Sequence, residues 1–138
     1  MFKMKIKFIS IYIFNAMILF SLSGCERGEL FKSEKSIEEE LKGSWNLLPI
    51  PRTANIEVWN YSDGKIYFER FAGSAEKDTA DYTIKTSIAK VEMDVKNFRI
   101  APQYNIKWQI VTINSKYLVI AGEDANGGVL QKDFRKAD

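Results

Sequence analysis

From Ser44 onward, polar and apolar residues alternate with a period of two, in short runs rich in aromatic and branched side chains and broken at Gly, Asn, Asp and Pro. That pattern specifies strands, because successive side chains of a strand point to opposite faces. The runs are Ser44 to Leu48, Ile56 to Tyr61, Ile66 to Phe71, Ala80 to Thr86, Lys90 to Val95, Tyr104 to Ile113, Tyr117 to Gly122 and Val129 to Lys136. Eight short strands in succession predict an antiparallel meander, which leaves two bare edges unless the sheet curls and closes. The expected fold is therefore all-β, a small antiparallel eight-stranded barrel, with an open sandwich as the alternative.

Asp63-Gly64 tolerates the positive φ angles of a two-residue hairpin. A turn there sets Tyr61 against Ile66, Trp59 against Phe68 and Glu57 against Arg70 on one sheet face. The other face carries Ile56, Val58, Asn60, Tyr67, Glu69 and Phe71; both are half apolar, so composition does not choose the inward one. A second turn at Asn114-Ser115 would bring Ile110 against Val119 and Val111 against Leu118. The segments Ala72 to Thr79 and Glu123 to Gly128 read as solvated loops, and Lys96 to Pro102 has no regular pattern.

The N-terminal end has a different character. Lys3, Lys5 and Lys7 precede an apolar run from Phe8 to Leu22, and no acidic residue occurs before Glu26. The run is shorter than the roughly 20 residues that span a bilayer, so it reads as a signal peptide. Leu22-Ser23-Gly24-Cys25 follows directly and resembles the lipobox of bacterial lipoproteins. The resemblance implies cleavage before Cys25, a diacylglyceryl group on its sulfur and acylation, by palmitate or a similar chain, of the new amino end. It further implies a membrane partner through the lipid anchor and a cell-envelope location, the outer membrane rather than the inner because Glu26 is not aspartate. The expected organisation is a signal peptide over 1–24, a charged tether over 25–36 and one domain over 37–138.

Removing 24 of the 138 residues takes all three leader lysines, leaving 17 basic against 18 acidic residues and a net charge of minus one. The basic balance of the whole chain therefore gives no reason to expect a nucleic-acid partner. Cys25 is the single cysteine, so the domain relies on packing rather than an internal disulfide. Histidine is absent, which removes the imidazole of the common hydrolytic triads and of most zinc sites. No cofactor, metal site or catalytic residue is expected. Acidic residues such as Glu38, Glu39 and Glu40 read as solvent-facing charge, and Asp124 lacks the spacing of a dedicated calcium loop.

Ser36-Ile37-Glu38-Glu39 fits a capping box for a short helical turn ending at Leu41 or Lys42. Gly43-Ser44-Trp45 comes next and is similar to the Gly-X-Trp motif that opens the first strand of lipocalins. In that family a last-strand arginine packs across the tryptophan and closes the base of the barrel, a role the resemblance assigns to Arg135, with Gly43 and Trp45 as its partners. Such a cation–π contact contributes about 0.5–2 kcal/mol. The likeness covers Leu41 to Arg135, although no helix follows the last strand.

A barrel of eight strands can hold one small ligand or be filled by side chains. Trp59, Phe68, Tyr82, Tyr104 and Trp108 are the candidate ligand-lining residues, able to serve as lining or as plug. The expected function is noncatalytic binding of a small hydrophobic molecule at the envelope. The alternative is a periplasmic protein-interaction module, such as an enzyme inhibitor or immunity protein, acting through its loops.

Overall fold

A computed structural model describes residues 32–49 and 55–138. The signal peptide, the lipobox residues Leu22, Ser23, Gly24 and Cys25, and most of the tether lie outside these residues.

Helix α1 spans Glu34–Leu41, earlier than the capping-box pattern places it. Ser33 is the N-cap, its Oγ accepting the backbone N–H of Ser36 at 3.2 Å, so Ser36 lies inside the first turn. The Ser33 cap sets the start, and the helix that follows places Ile37 and Leu41, four residues apart, on one face. Both are fully buried against the barrel. The boundary at residue 36 therefore cuts through the helix.

Eight strands follow: β1 (Gly43–Leu47), β2 (Ile56–Ser62), β3 (Lys65–Phe71), β4 (Ala75–Thr86), β5 (Val91–Lys96), β6 (Lys107–Ile113), β7 (Tyr117–Glu123) and β8 (Val129–Lys136). Each pairs antiparallel with the next, and β1 pairs with β8 to close the barrel. This is the meander order of a lipocalin-like fold, and closure leaves no open sandwich edge.

Asp63 and Gly64 have φ of 50° and 75°, the left-handed pair a tight hairpin needs. The register follows as expected, with Tyr61 opposite Ile66, Trp59 opposite Phe68 and Glu57 opposite Arg70. Burial selects this as the inward face: Glu57, Trp59, Tyr61, Ile66 and Phe68 are all buried.

Three parts of the sheet differ from the sequence pattern. β4 starts at Ala75, so 72–79 is a tight turn and five strand residues rather than a loop. Cross-strand charge pairs sustain that polar stretch, Arg70 with Glu76 at 2.6 Å and Glu69 with Lys77 at 2.8 Å. β6 starts at Lys107, after a single 3-10 turn over Pro102–Tyr104. The β6–β7 register is shifted by a bulge at Val111, giving Ile110 opposite Ile120 and Ile113 opposite Leu118. The bulge turns Val111 outward, half exposed, and lets both flanking isoleucines point inward. Asn114 Oδ1 accepts from the backbone N–H groups of Lys116 and Tyr117, each at 2.9 Å, which centres the turn on Ser115 and Lys116.

Gly122 in β7 is where the wall comes closest to its contents. A Cβ there would lie 2.7 Å from Ile106 Cδ1 and 3.0 Å from the Lys107 carbonyl oxygen. Gly122→Ala is expected to lower stability by about 1–3 kcal/mol through overpacking. Urea denaturation of wild type and variant measures the difference.

Candidate functional site: the two ends of the barrel

The antiparallel meander gives the barrel two unlike ends. At the base, α1 lies over the tops of β4 and β6, and Leu41 accepts a 2.7 Å hydrogen bond from Trp45 Nε1. Gly43, with φ of 105°, makes the sharp passage from helix to strand. The cation over Trp45 is Lys136, its Nζ 4.7 Å from the ring centroid and 3.1 Å from the Glu40 carbonyl oxygen that accepts its proton. Arg135 is exposed on the outer surface. Parity requires this: Phe134 is fully buried, so the next residue must point out and Lys136 in.

At the other end, the mouth, the interior is dominated by aromatic rings. Trp59 is fully buried and makes ring contacts with Tyr61, Phe68, Phe98, Tyr104, Trp108 and Phe134, with centroids 5.4–6.3 Å apart. Of the candidate lining residues, Trp59, Phe68, Tyr104 and Trp108 come together here. Tyr82 does not join them; its ring meets Tyr61 edge-on at 5.4 Å. Tyr61 Oη is buried with no hydrogen-bond partner among the described residues. Burial drives its pKa well above the ordinary 10.0, and nearby Tyr82 and Glu57 push the same way.

The plug over this end comes from the connection between β5 and β6. It inserts Phe98, 3% exposed, and the half-buried Tyr104. No strand pairing holds its middle. Asp78 of β4 does so instead, accepting backbone N–H bonds from Arg99 at 2.8 Å and Ile100 at 2.6 Å. Asn105 closes the loop on itself by bonding both the N–H and the carbonyl of Phe98. Burial works against the Asp78 charge, but backbone N–H groups of Ile100, Thr79, Arg99 and Ala101 outweigh it and hold the pKa below the ordinary 3.8.

Within the apolar interior lies an ion pair that pattern reading missed. Lys132 Nζ is 2.7 Å from Glu57 Oε1, and the two side chains are 8% and 6% exposed. Trp59 Nε1 donates to the same oxygen at 2.8 Å. The ammonium also sits over the Tyr104 ring at 4.0 Å and the Trp59 ring at 5.5 Å. Although Glu57 and Arg70 face each other in the ladder, they do not pair: Arg70 bonds Glu76, while Trp59 and Lys132 draw Glu57 inward. Strand parity carried the missing signal, since Glu57 shares a face with Trp59 and Lys132 with Phe134.

One surface cleft is an open, polar groove between β4 and the β5–β6 connection, lined in part by Lys77, Asp81, Asn97 and Arg99. Among the described residues no group of three or more acidic, His or Cys side chains is placed to hold a metal. No protein-family model matches the chain, and no curated protein or solved structure matches it.

Lys132→Ala leaves the Glu57 carboxylate buried without its cation and should cost about 3–5 kcal/mol. Lys132→Met alone should cost a similar amount, whereas Glu57→Gln with Lys132→Met keeps an acceptor for Trp59 and should cost much less, so the cycle of Glu57→Gln, Lys132→Met and their combination must show strong coupling in urea. Asp78→Asn should loosen the plug in a pH-dependent manner. Because the folded pKa is depressed, the stabilisation by Asp78 is complete above the unfolded value and is lost as pH falls through the folded value. The stability gap between wild type and Asp78→Asn should therefore be constant from neutral pH down to about pH 5 and close below about pH 4.

Proposed function

We propose that this chain is a lipid-anchored envelope lipoprotein whose barrel is a noncatalytic binder of a small hydrophobic molecule. The mouth carries the binding half of this reading. Its aromatic interior is covered by a segment that Asn105 braces internally and the Asp78 side chain ties to the wall, the kind of local tie that opens without unpairing the sheet. A ligand would enter when this segment lifts and take the place of Phe98 against Trp59, Phe68 and Trp108. The anchor half rests on the lipobox at Leu22, Ser23, Gly24 and Cys25, with an outer-membrane location expected from Glu26.

One observation favours the second reading, a protein-interaction module. The outer wall near the mouth carries Ile56 and Phe71, directly opposite each other and 61% and 52% exposed. Leu48, 42% exposed, lies on the same side of the molecule at the end of β1. An inhibitor or immunity protein would use such a rim, and a filled barrel would be its scaffold.

Expression of the full chain in a bacterium tests both halves. Palmitate should be incorporated and the protein recovered with membranes, and Cys25→Ser should abolish both. Native mass spectrometry of the extracted protein should show a stoichiometric apolar adduct that is lost in a Trp108→Ala variant of unchanged fold. A bare lipoprotein mass, unchanged after exposure to a lipid panel, would exclude the carrier and leave the outer rim as the functional surface.

A further inference from the structure

The ion pair at the mouth has an asymmetry that identifies a ligand class. Glu57 is held by two donors on one oxygen, Lys132 Nζ and Trp59 Nε1, and its short side chain has little room to turn. Among the described residues Lys132 is held by Glu57 alone as hydrogen-bond acceptor, with the rings of Tyr104 and Trp59 flanking its ammonium. It stands three residues after the start of β8, at the mouth end, on a long flexible stem that can carry its charge out to water. Glu57 and Trp59 on β2, with Tyr104 of the closed plug, are thus the walls of a cation cage, and Lys132 is its movable occupant.

A carboxylate and two aromatic faces are the groups that recognise an alkylammonium ion. We propose that this cage is an alkylammonium-binding site that Lys132 fills in the ligand-free protein. An amphiphile with an ammonium head and an apolar tail would send Lys132 outward, put its own nitrogen against Glu57 and lay its tail along Trp59, Phe68 and Trp108. The exchange replaces one cation with another, so Glu57 stays paired throughout and the displaced Lys132 regains hydration. An anionic head has no such path: it would have to expel Glu57, the more firmly held partner, or enter beside an existing carboxylate. This inference rests on the carrier reading and specifies the head group of its ligand.

The test uses the full chain in phosphatidylcholine nanodiscs, titrated with decylammonium and with 1-decanol. The Trp59 indole N–H resonance, which reports the bond to Glu57, follows binding. Decylammonium should bind roughly tenfold more tightly than 1-decanol, within the range a desolvated cation–π and carboxylate contact supplies. Lys132→Met should strengthen binding of the amine while leaving the alcohol unchanged, and Glu57→Gln with Lys132→Met should erase the amine's advantage. Both variants keep side-chain volume, and the indole spectrum checks that each is folded. Equal binding of amine and alcohol to wild type and Lys132→Met overturns the ammonium site but leaves the carrier standing. Failure of either probe to bind any of the three proteins removes the carrier reading together with the site.

Discussion

The pairing of β1 with β8 is the contact on which the other features of the fold depend. Its ladder pairs Trp45 with Lys136, Asn46 with Arg135 and Leu47 with Phe134, and the N–H groups of Leu48 and Ala137 extend it by bonding the carbonyls of Asp133 and Ser44. This pairing turns a sheet with two exposed edges into a surface with none. It also fixes the parity of β8 from the base to the mouth. With Trp45 pointing in, its partner Lys136 must point in as well, which sets the cation over the tryptophan and lets it reach the helix carbonyl of Glu40. The same parity, carried four residues back along β8, brings Lys132 inside the barrel. The base cation and the mouth cation are thus two consequences of one register.

The two cations differ in what surrounds them. Lys136 is half-buried, close to water and to a helix C-terminus, where positive charge is favourable. Lys132 is almost wholly enclosed, and an enclosed ion pair gains Coulomb attraction at the expense of the hydration of both ions. Apolar side chains of the same volume commonly fill such a position with equal or greater stability. An ion pair at the mouth of an otherwise aromatic interior is therefore poorly explained by stability alone, and well explained by a need for polarity there.

Much of this architecture was legible in the sequence because it rests on local rules. Strand number, the Asp63-Gly64 hairpin and its register all follow from period two and from turn chemistry. The inward placement of Trp59, Phe68 and Trp108 required a choice between two half-apolar faces that only closure of the barrel made. What escaped reading was set by partners distant in sequence. The first residues of β4 look like a solvated loop until Glu69 and Arg70 are placed across from Lys77 and Glu76. The bulge at Val111 answers to the packing of Ile110 and Ile113, not to any breaker residue. Arg135 fits a family pattern by residue type, but a one-residue offset in a strand reverses the face, and the structure gives the role to Lys136.

The contrast between the ends indicates where the barrel can change shape. The base is joined to α1 by a buried indole–carbonyl bond and by Ile37 and Leu41, both without solvent contact, so opening it exposes core. At the mouth, the 97–106 connection is joined to the wall by the Asp78 carboxylate accepting backbone N–H groups, by Asn97 to Asp81 and by Trp108 Nε1 to the Tyr104 carbonyl, and Asn97 adopts a left-handed φ of 74° where the chain leaves β5. Lifting that segment removes Phe98 and Tyr104 from Trp59 but leaves the β-ladders of all eight strands intact. Such a change uncovers the buried Phe98 and Ala101 but breaks no strand pairing, so it requires less than global unfolding. Exchange of anything between the interior and solvent would therefore pass through the mouth, between Asp78 on one side and the Glu57–Lys132 pair on the other.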